Sequence, residues 1–420
     1  MSNSQDQIPE LPDLYDPIFC NILKFLDNHD LPHFSEVCPH RSDLIDCRAE
    51  QVRFLIAYPD DAADYFHYQI EKLNNGVYLL TFTKLLIADI TPKLNARVKR
   101  EHIFELINAN QQTLKGLIYN YRDYKGITRN CNQLEMISSN GVEHHVKQNG
   151  EKVKQLRLRY YTLGALTKKF ISKEPVNGKK KRVQDKHYFP NLERLNIYNR
   201  KDHHYIEYGL KYGPEFTNLK IFESKFYVRK CTTNIYYGFH LIINFCPNLQ
   251  SAHIEVEADN LETCSSDTPN HYCLQDLVIN FCHKSRIKWD DIKQLLFKFK
   301  NLKHLALRAR ENLLDDHILE LATNLPNLVL LDVRGCPKVT QGAADRVKDL
   351  NEQEGKSIKF YFNGNSNEIV SDWPQLSTKK EKISRGFEFM KHCFLKDFND
   401  LPHFLVPIDY CKPHTVQELS

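Results

Sequence analysis

Glycine is scarce in this chain, at 15 residues in 420. Loops that cradle phosphates and turns that bind dinucleotides depend on it for tight bends and close backbone approach. No P-loop, no dinucleotide glycine pattern and no nucleophile elbow occurs in the sequence. Net charge is also small, with 57 Lys and Arg against 53 Asp and Glu. Bulk charge therefore gives no ground for binding to nucleic acid or a membrane surface. No apolar run reaches the roughly eighteen residues a spanning helix needs, so no membrane segment is expected. The opening MSNSQDQIPE has no apolar core, and no signal peptide is expected. Twelve scattered cysteines without a secretory pattern point to reduced thiols and a cytoplasmic or nuclear setting.

What is present is a repeat that starts near residue 112. An apolar residue, two spacers, a second apolar residue, one spacer and a third recur nine times. The first four units are Leu114–Leu117–Tyr119, Leu134–Ile137–Ser139, Val153–Leu156–Leu158 and Leu192–Leu195–Ile197. Then come Leu219–Phe222–Ser224, Leu249–Ala252–Ile254, Leu274–Leu277–Ile279, Leu302–Leu305–Leu307 and Leu328–Leu331–Val333. From Leu192 the units start 25–30 residues apart. In phase stand FPNL, FTNL, CPNL, FKNL and LPNL, each leading into the next unit, with Asn expected to turn the chain.

Between units, Ile292, Leu295, Leu296 and Phe299 form one helical stripe, and Ile318, Leu321, Ala322 and Leu325 another. Asp290 and Asp315–Asp316 stand at the expected N-caps. No such unit buries its apolar face without its neighbours, which makes the architecture a solenoid. The expected fold class is α/β, with parallel strands and helices on the convex side. The repeats resemble the leucine-rich type. SIKFYF at 357–362 is the expected closing strand, and 363–420 the expected C-terminal cap and tail, with a helical stretch over 383–398.

Ahead of the repeats lies a small helical head over 8–56, after a polar lead-in at 1–7. Ile18, Ile22 and Leu26, widened by Phe19 and Leu23, form a stripe behind the helix start Asp16–Pro17. A second short helix is expected from Asp30 and a third around Leu44, Ile45, Val52, Leu55 and Ile56. Three short helices bury little surface and need a partner, either another chain or the rest of this one. The region 57–111 is read as a connecting helical segment.

The ordered string Leu11, Pro12, Ile18, Ile22, Leu23, Leu26, Asp30, Leu31, Phe34, Ser35, Val37 and Cys38 resembles the F-box, with Arg41 where that family usually has Trp. Leucine-rich repeats commonly follow an F-box. The resemblance implies a substrate-recognition subunit of an SCF-type cullin–RING ubiquitin ligase. Its head would dock on a Skp-type adaptor through Leu11, Pro12, Ile18, Ile22, Leu23, Leu26, Leu31 and Val37. The repeats would hold a protein client of unknown identity, and the chain would have neither catalytic residue nor cofactor. The alternative is a leucine-rich scaffold whose N-terminal helices cap its own first repeat. An RNA-binding repeat protein is a third class. Basic and aromatic residues interleave at QLRLRYY and NIYYGF, but alternation of strand residues between core and water is the preferred explanation.

The solenoid, taken as 112–362, contains a basic insertion at 167–188 with eight Lys or Arg against Glu174 and Asp185. It reads as a solvated loop turning at Asn177–Gly178. Lys179, Lys180, Lys181 and Arg182 are candidates for a nuclear-import signal or a contact with an acidic partner. Cys264, His271, Cys273, Cys282 and His283 have ligand chemistry, but their spacing matches no closed zinc site and no metal is expected. Strand residues that alternate with the apolar ladder would line the concave face. Arg157, Arg159, Tyr198, Arg308, Arg310 and Arg334 are the candidate client anchors there, beside Asn196 and Asp332.

Overall fold

The computed structural model describes residues 18, 52–56, 65–67, 82–91, 98–159, 166–176, 179–199, 215–227, 235–236, 238–258, 260–261, 268–282 and 285–411. They belong to two compact units, Met1–Ser139 and Asn140–Ser420. Of the head residues expected to meet an adaptor, Ile18 is helical and exposed, and the others lie outside the described residues.

The first unit contains β1 (Phe54–Ile56), β2 (Tyr65–His67), β3 (Ile87–Asp89), α1 (Arg100–Ala109), β4 (Gly116–Tyr119) and β5 (Met136–Ser139). The strands are parallel in the order β2-β1-β3-β4-β5. This differs from the helical reading at 54–56, 65–67 and 87–89, where β1, β2 and β3 are strands, while α1 is helical within the connecting region. Phe54, Leu55 and Ile56 are all buried, and a short run buried on both faces has no period to distinguish strand from helix. Asn110, fully buried, satisfies its amide locally. It donates to the Phe82 and Leu106 carbonyls and accepts from the Leu85 N–H at 2.7 Å.

The second unit opens with α2 (His144–Gln148), β6 (Gln155–Arg159), a hairpin β7 (Thr167–Val176) and β8 (Lys179–His187), β9 (Arg194–Asn199) and β10 (Ile221–Tyr227). It continues with β11 (Ile235–Tyr236), α3 (Gly238–Phe245), β12 (Ser251–Glu257), β13 (Asn260–Leu261), β14 (Asp276–Phe281), α4 (Trp289–Leu296) and β15 (His304–Arg308). Then follow α5 (Asp315–Asn324), β16 (Leu330–Asp332), α6 (Gln341–Glu354), β17 (Lys359–Tyr361), α7 (Glu368–Asp372), β18 (Ile383–Arg385), α8 (Phe389–Cys393) and β19 (Phe404–Val406). Its main sheet is parallel in the order β6-β9-β10-β12-β14-β15-β16-β17, with one strand from each repeat and SIKFYF supplying the last. This is the strand pattern of a leucine-rich-repeat solenoid.

Register follows the apolar template. Leu156, Leu195, Phe222, Ala252, Leu277, Leu305, Leu331 and Phe360 stand opposite one another along the sheet. Side chains alternate across a strand, so these residues share the ladder face with Leu158, Ile197, Ile254, Ile279 and Leu307, all buried. Ser224 and Ser139, at apolar positions of the template, are buried as well. The carbonyl just before a strand repeatedly accepts two N–H groups from the next: Lys154 O from Glu193 and Arg194, Glu193 O from Lys220 and Ile221, Gln275 O from Lys303 and His304.

The Asn of the leading tetrapeptide does more than turn the chain. Asn218, Asn301 and Asn327 each donate a side-chain N–H to a carbonyl of the preceding unit, that of Pro190, Tyr272 or Lys300, at 2.7–3.1 Å. Asn248 does the same to Thr217 O. The motif is therefore a rung between repeats. Asn301→Ala is expected to lower stability by about 1 kcal/mol, read by urea unfolding, because a surface amide pair contributes about that much.

Two local expectations are corrected. Asp290 and Asp315 lie in the first turns of α4 and α5, whose N-caps are Lys288 and Leu314. Their charge still favours the positive helix end. The insertion at 167–188 is an antiparallel hairpin rather than a loop, with Phe170 opposite Val183, Ile171 opposite Arg182 and Val176 opposite Lys179. An Asn-Gly pair between segments carrying Phe170, Ile171 and Val183 is itself a hairpin signal. Its base is tied down by the Tyr188 N–H to Leu166 O at 2.9 Å and by His187 against the Phe216 ring.

The helix expected over 383–398 is broken. β18 ends at Arg385, Gly386 has φ +112°, and α8 takes only Phe389–Cys393. β18 pairs in parallel with β19, making a small sheet of the C-terminal segment's own. Among the described residues no helix is long and apolar enough to cross a membrane.

Candidate functional site

The sheet of the second unit has a second face, formed by the residues that alternate with the ladder. Five of these are apolar: Ile221, Val278, Ala306, Leu330 and Tyr361. They form one buried cluster with Leu376, Phe389, Cys393, Phe394, Phe398, Leu401 and Leu405 of the C-terminal segment. Residues 373–406 thus form a strap along this face, running from β17 back to β6. Trp373 donates to the Tyr361 hydroxyl at the β17 end, and Leu405 reaches Gln155 at the β6 end. The expected cap covers a face of the sheet. Burying apolar area there is worth about 25 cal/mol per Å², which a short end cap could not match.

Polar residues of the same face fasten the strap. Gln155 makes a two-bond pair with Leu405, donating to its carbonyl at 2.7 Å and accepting from its N–H at 3.0 Å. Arg157 donates to Leu401 O and Pro402 O, and burial pushes its pKa down to about 9. Arg194 forks onto both oxygens of Glu223 at 2.8 and 2.9 Å and also reaches Pro402 O. Glu223 is fully buried and accepts a further bond from Asn196. Burial alone would raise its pKa, but the Arg194 guanidinium outweighs that and holds it below the usual carboxylate range.

Toward the other end, His253 donates from Nε2 to Lys396 O at 3.0 Å, and burial pushes its pKa down to about 4. Arg308 bridges the buried Asp332 carboxylate and Phe394 O. Arg334 grips the same carboxylate from the other side, at 2.8 Å. Burial opposes ionisation of Asp332, and the Arg308 and Arg334 charges reverse that and keep it ionised.

The six candidate client anchors therefore occupy different settings. Arg157 and Arg308 hold the strap main chain, and Tyr198 packs against the strap cluster. Arg334 braces Asp332. Arg310 lies apart, donating to Ile287 O with its guanidinium over the Phe281 ring. Arg159 is exposed at the end of β6. Gln155, Arg194, Glu223 and His253 were not foreseen. The readable signal was apolar residues at water-facing positions, Val278, Ala306 and Leu330, which only a covered face explains.

Lys179, Lys180 and Arg182 are paired in β8 with Val176, Pro175 and Ile171. Of the residues with metal-ligand chemistry, His271 uses both ring nitrogens on backbone, facing Cys246 O and the Leu274 N–H. Cys264 and His283 lie outside the described residues.

No family model matches the sequence, and no curated protein does. Among solved structures, the chain has a likeness to the crystal structure of the Rad7 and Elc1 complex in yeast. Identity is 13%, covering 79% of this chain and 87% of that chain, with a TM-score of 0.38.

Proposed function

We propose that this chain is a non-catalytic client receptor of an SCF-type ubiquitin ligase, with an F-box-like head that binds a Skp-type adaptor. The observation that carries the reading is the ordered head string from Leu11 to Cys38 placed ahead of a parallel repeat sheet. A receptor of this kind raises the local concentration of a client lysine near the conjugating enzyme and needs no reacting group of its own. Lys179–Arg182 are proposed to act on a basic hairpin, and a linear import signal there requires that strand to unpair.

The test is co-purification of the full chain with the adaptor, compared with Ile22→Asp plus Leu26→Asp. Two charges on a stripe that adaptor binding would bury are expected to lower adaptor affinity at least about 100-fold, since each desolvated carboxylate costs several kcal/mol. Circular dichroism should be unchanged. An intact, folded chain that does not bind the adaptor overturns the proposal.

A further inference from the structure

The bonds that fasten the strap have a common character. Gln155, Arg157, Arg194, His253 and Arg308 all address the strap through main-chain atoms: the carbonyls of Leu405, Leu401, Pro402, Lys396 and Phe394 and the N–H of Leu405. None of these bonds depends on which side chain the strap carries. Specificity comes from the apolar seats between them, where Phe394, Phe398, Leu401 and Leu405 enter the cluster with Ile221, Val278, Ala306 and Leu330. Main-chain bonds for affinity and apolar seats for selectivity are the elements of a peptide-binding channel.

A second observation concerns the fit. Several buried polar atoms at this seam have no hydrogen-bond partner: His253 Nδ1, Arg194 Nε and Asn196 Oδ1. A segment serving only as core normally leaves few such atoms. The strap's first stretch, between Trp373 and β18, leaves Pro374, Gln375, Thr378, Lys379 and Lys380 exposed.

We propose that this face is a peptide channel, that residues 386–406 are its resident occupant, and that a client enters by offering a segment that adopts the strap's path and carries aromatic or leucine anchors at its spacing. The word client rests on the receptor reading above; the channel does not. Because the strap is tethered, a free competitor faces an effective concentration of about the millimolar level, so entry needs a client already held nearby.

The experiment uses the full chain with a protease site inserted between Thr378 and Lys379. After cleavage the strap is held without a covalent link, and a fluorescent synthetic peptide of residues 380–411 is offered. The nicked protein is expected to stay folded and to take up the peptide, with uptake at least about tenfold weaker in uncut protein, where the tether competes. A peptide carrying Phe394→Ala and Phe398→Ala should bind about 100-fold less tightly, as loss of two buried aromatic anchors implies. A strap that never exchanges, a nicked protein that unfolds as the strap leaves, or equal uptake of a scrambled peptide overturns the proposal. The assay contains no adaptor, so its failure leaves the docking of the head standing, and failure of adaptor binding leaves the channel standing.

Discussion

Glu223→Ala is expected to lower the unfolding free energy by about 3–5 kcal/mol, the usual result of removing one partner from a buried ion pair. Arg194, 2% exposed at its side chain, would lose both bonds of its fork and keep a charge that water cannot reach. Asn196 would lose its acceptor, and the neighbouring Arg157, already pushed down by burial, would lose the carboxylate that offsets part of that burial. Glu223→Gln keeps the shape and one acceptor and should show that the charge carries most of the effect. The double replacement Arg194→Met with Glu223→Met should recover much of the loss, because a buried pair exchanged for apolar residues is often neutral. Urea unfolding followed by tryptophan fluorescence measures all three. Both tryptophans, Trp289 and Trp373, lie in the second unit, so the signal reports the unit that contains the pair.

Acidification is expected to have an effect of similar size. His253 and His392 are buried, with pKa values pushed down to about 4, below the ordinary 6.5, so the folded state holds both neutral. The unfolded chain takes up protons first. Stability is therefore complete above about pH 6.5 and is lost as pH falls toward 4, by up to about 1.4 kcal/mol per unit for each histidine. Their surroundings do not rescue the charged forms. His253 faces Arg308 and the Lys396 carbonyl, with Glu223 and Asp397 giving smaller support. His392 faces Lys391, Lys396 and Arg194, with the Arg385 backbone as its one favourable contact. Glu223 and Asp332 are held below their ordinary range and add losses of the same sign at lower pH. Urea unfolding between pH 7 and pH 4.5 measures the slope, and His253→Asn should reduce it by one proton's worth. A slope unchanged by that replacement would separate the acid effect from the strap.

Much of the second unit was legible because its information is local. An apolar ladder of period two within each strand, repeated every 25–30 residues, specifies parallel strands in one register, and Leu195, Phe222, Ala252 and Leu277 stand opposite one another as the template implies. Asn177–Gly178 carried a turn signal, yet charge density drew the reading toward a loop where the chain forms β7 and β8. β1 and β3 were missed because three consecutive buried residues carry no period. Arg157 and Arg308 turn away from the ladder, as the alternation in their strands implies, but nothing near them in sequence shows that the strap main chain is what they meet.

The amino-acid sequence by itself determined the repeat, its parallel ladder and the composition of the strand faces, since each depends on neighbours within a few residues or one unit away. The tertiary structure alone decided what covers the second face. Gln155 finds Leu405 across 250 residues, Arg157 finds Leu401 across 244, and His253 finds Lys396 across 143. No periodicity encodes a pairing at that distance. The strap settles there because the sheet presents apolar residues and unsatisfied donors that water would otherwise have to cover, and a segment rich in Phe, Leu and free carbonyls meets both needs at once.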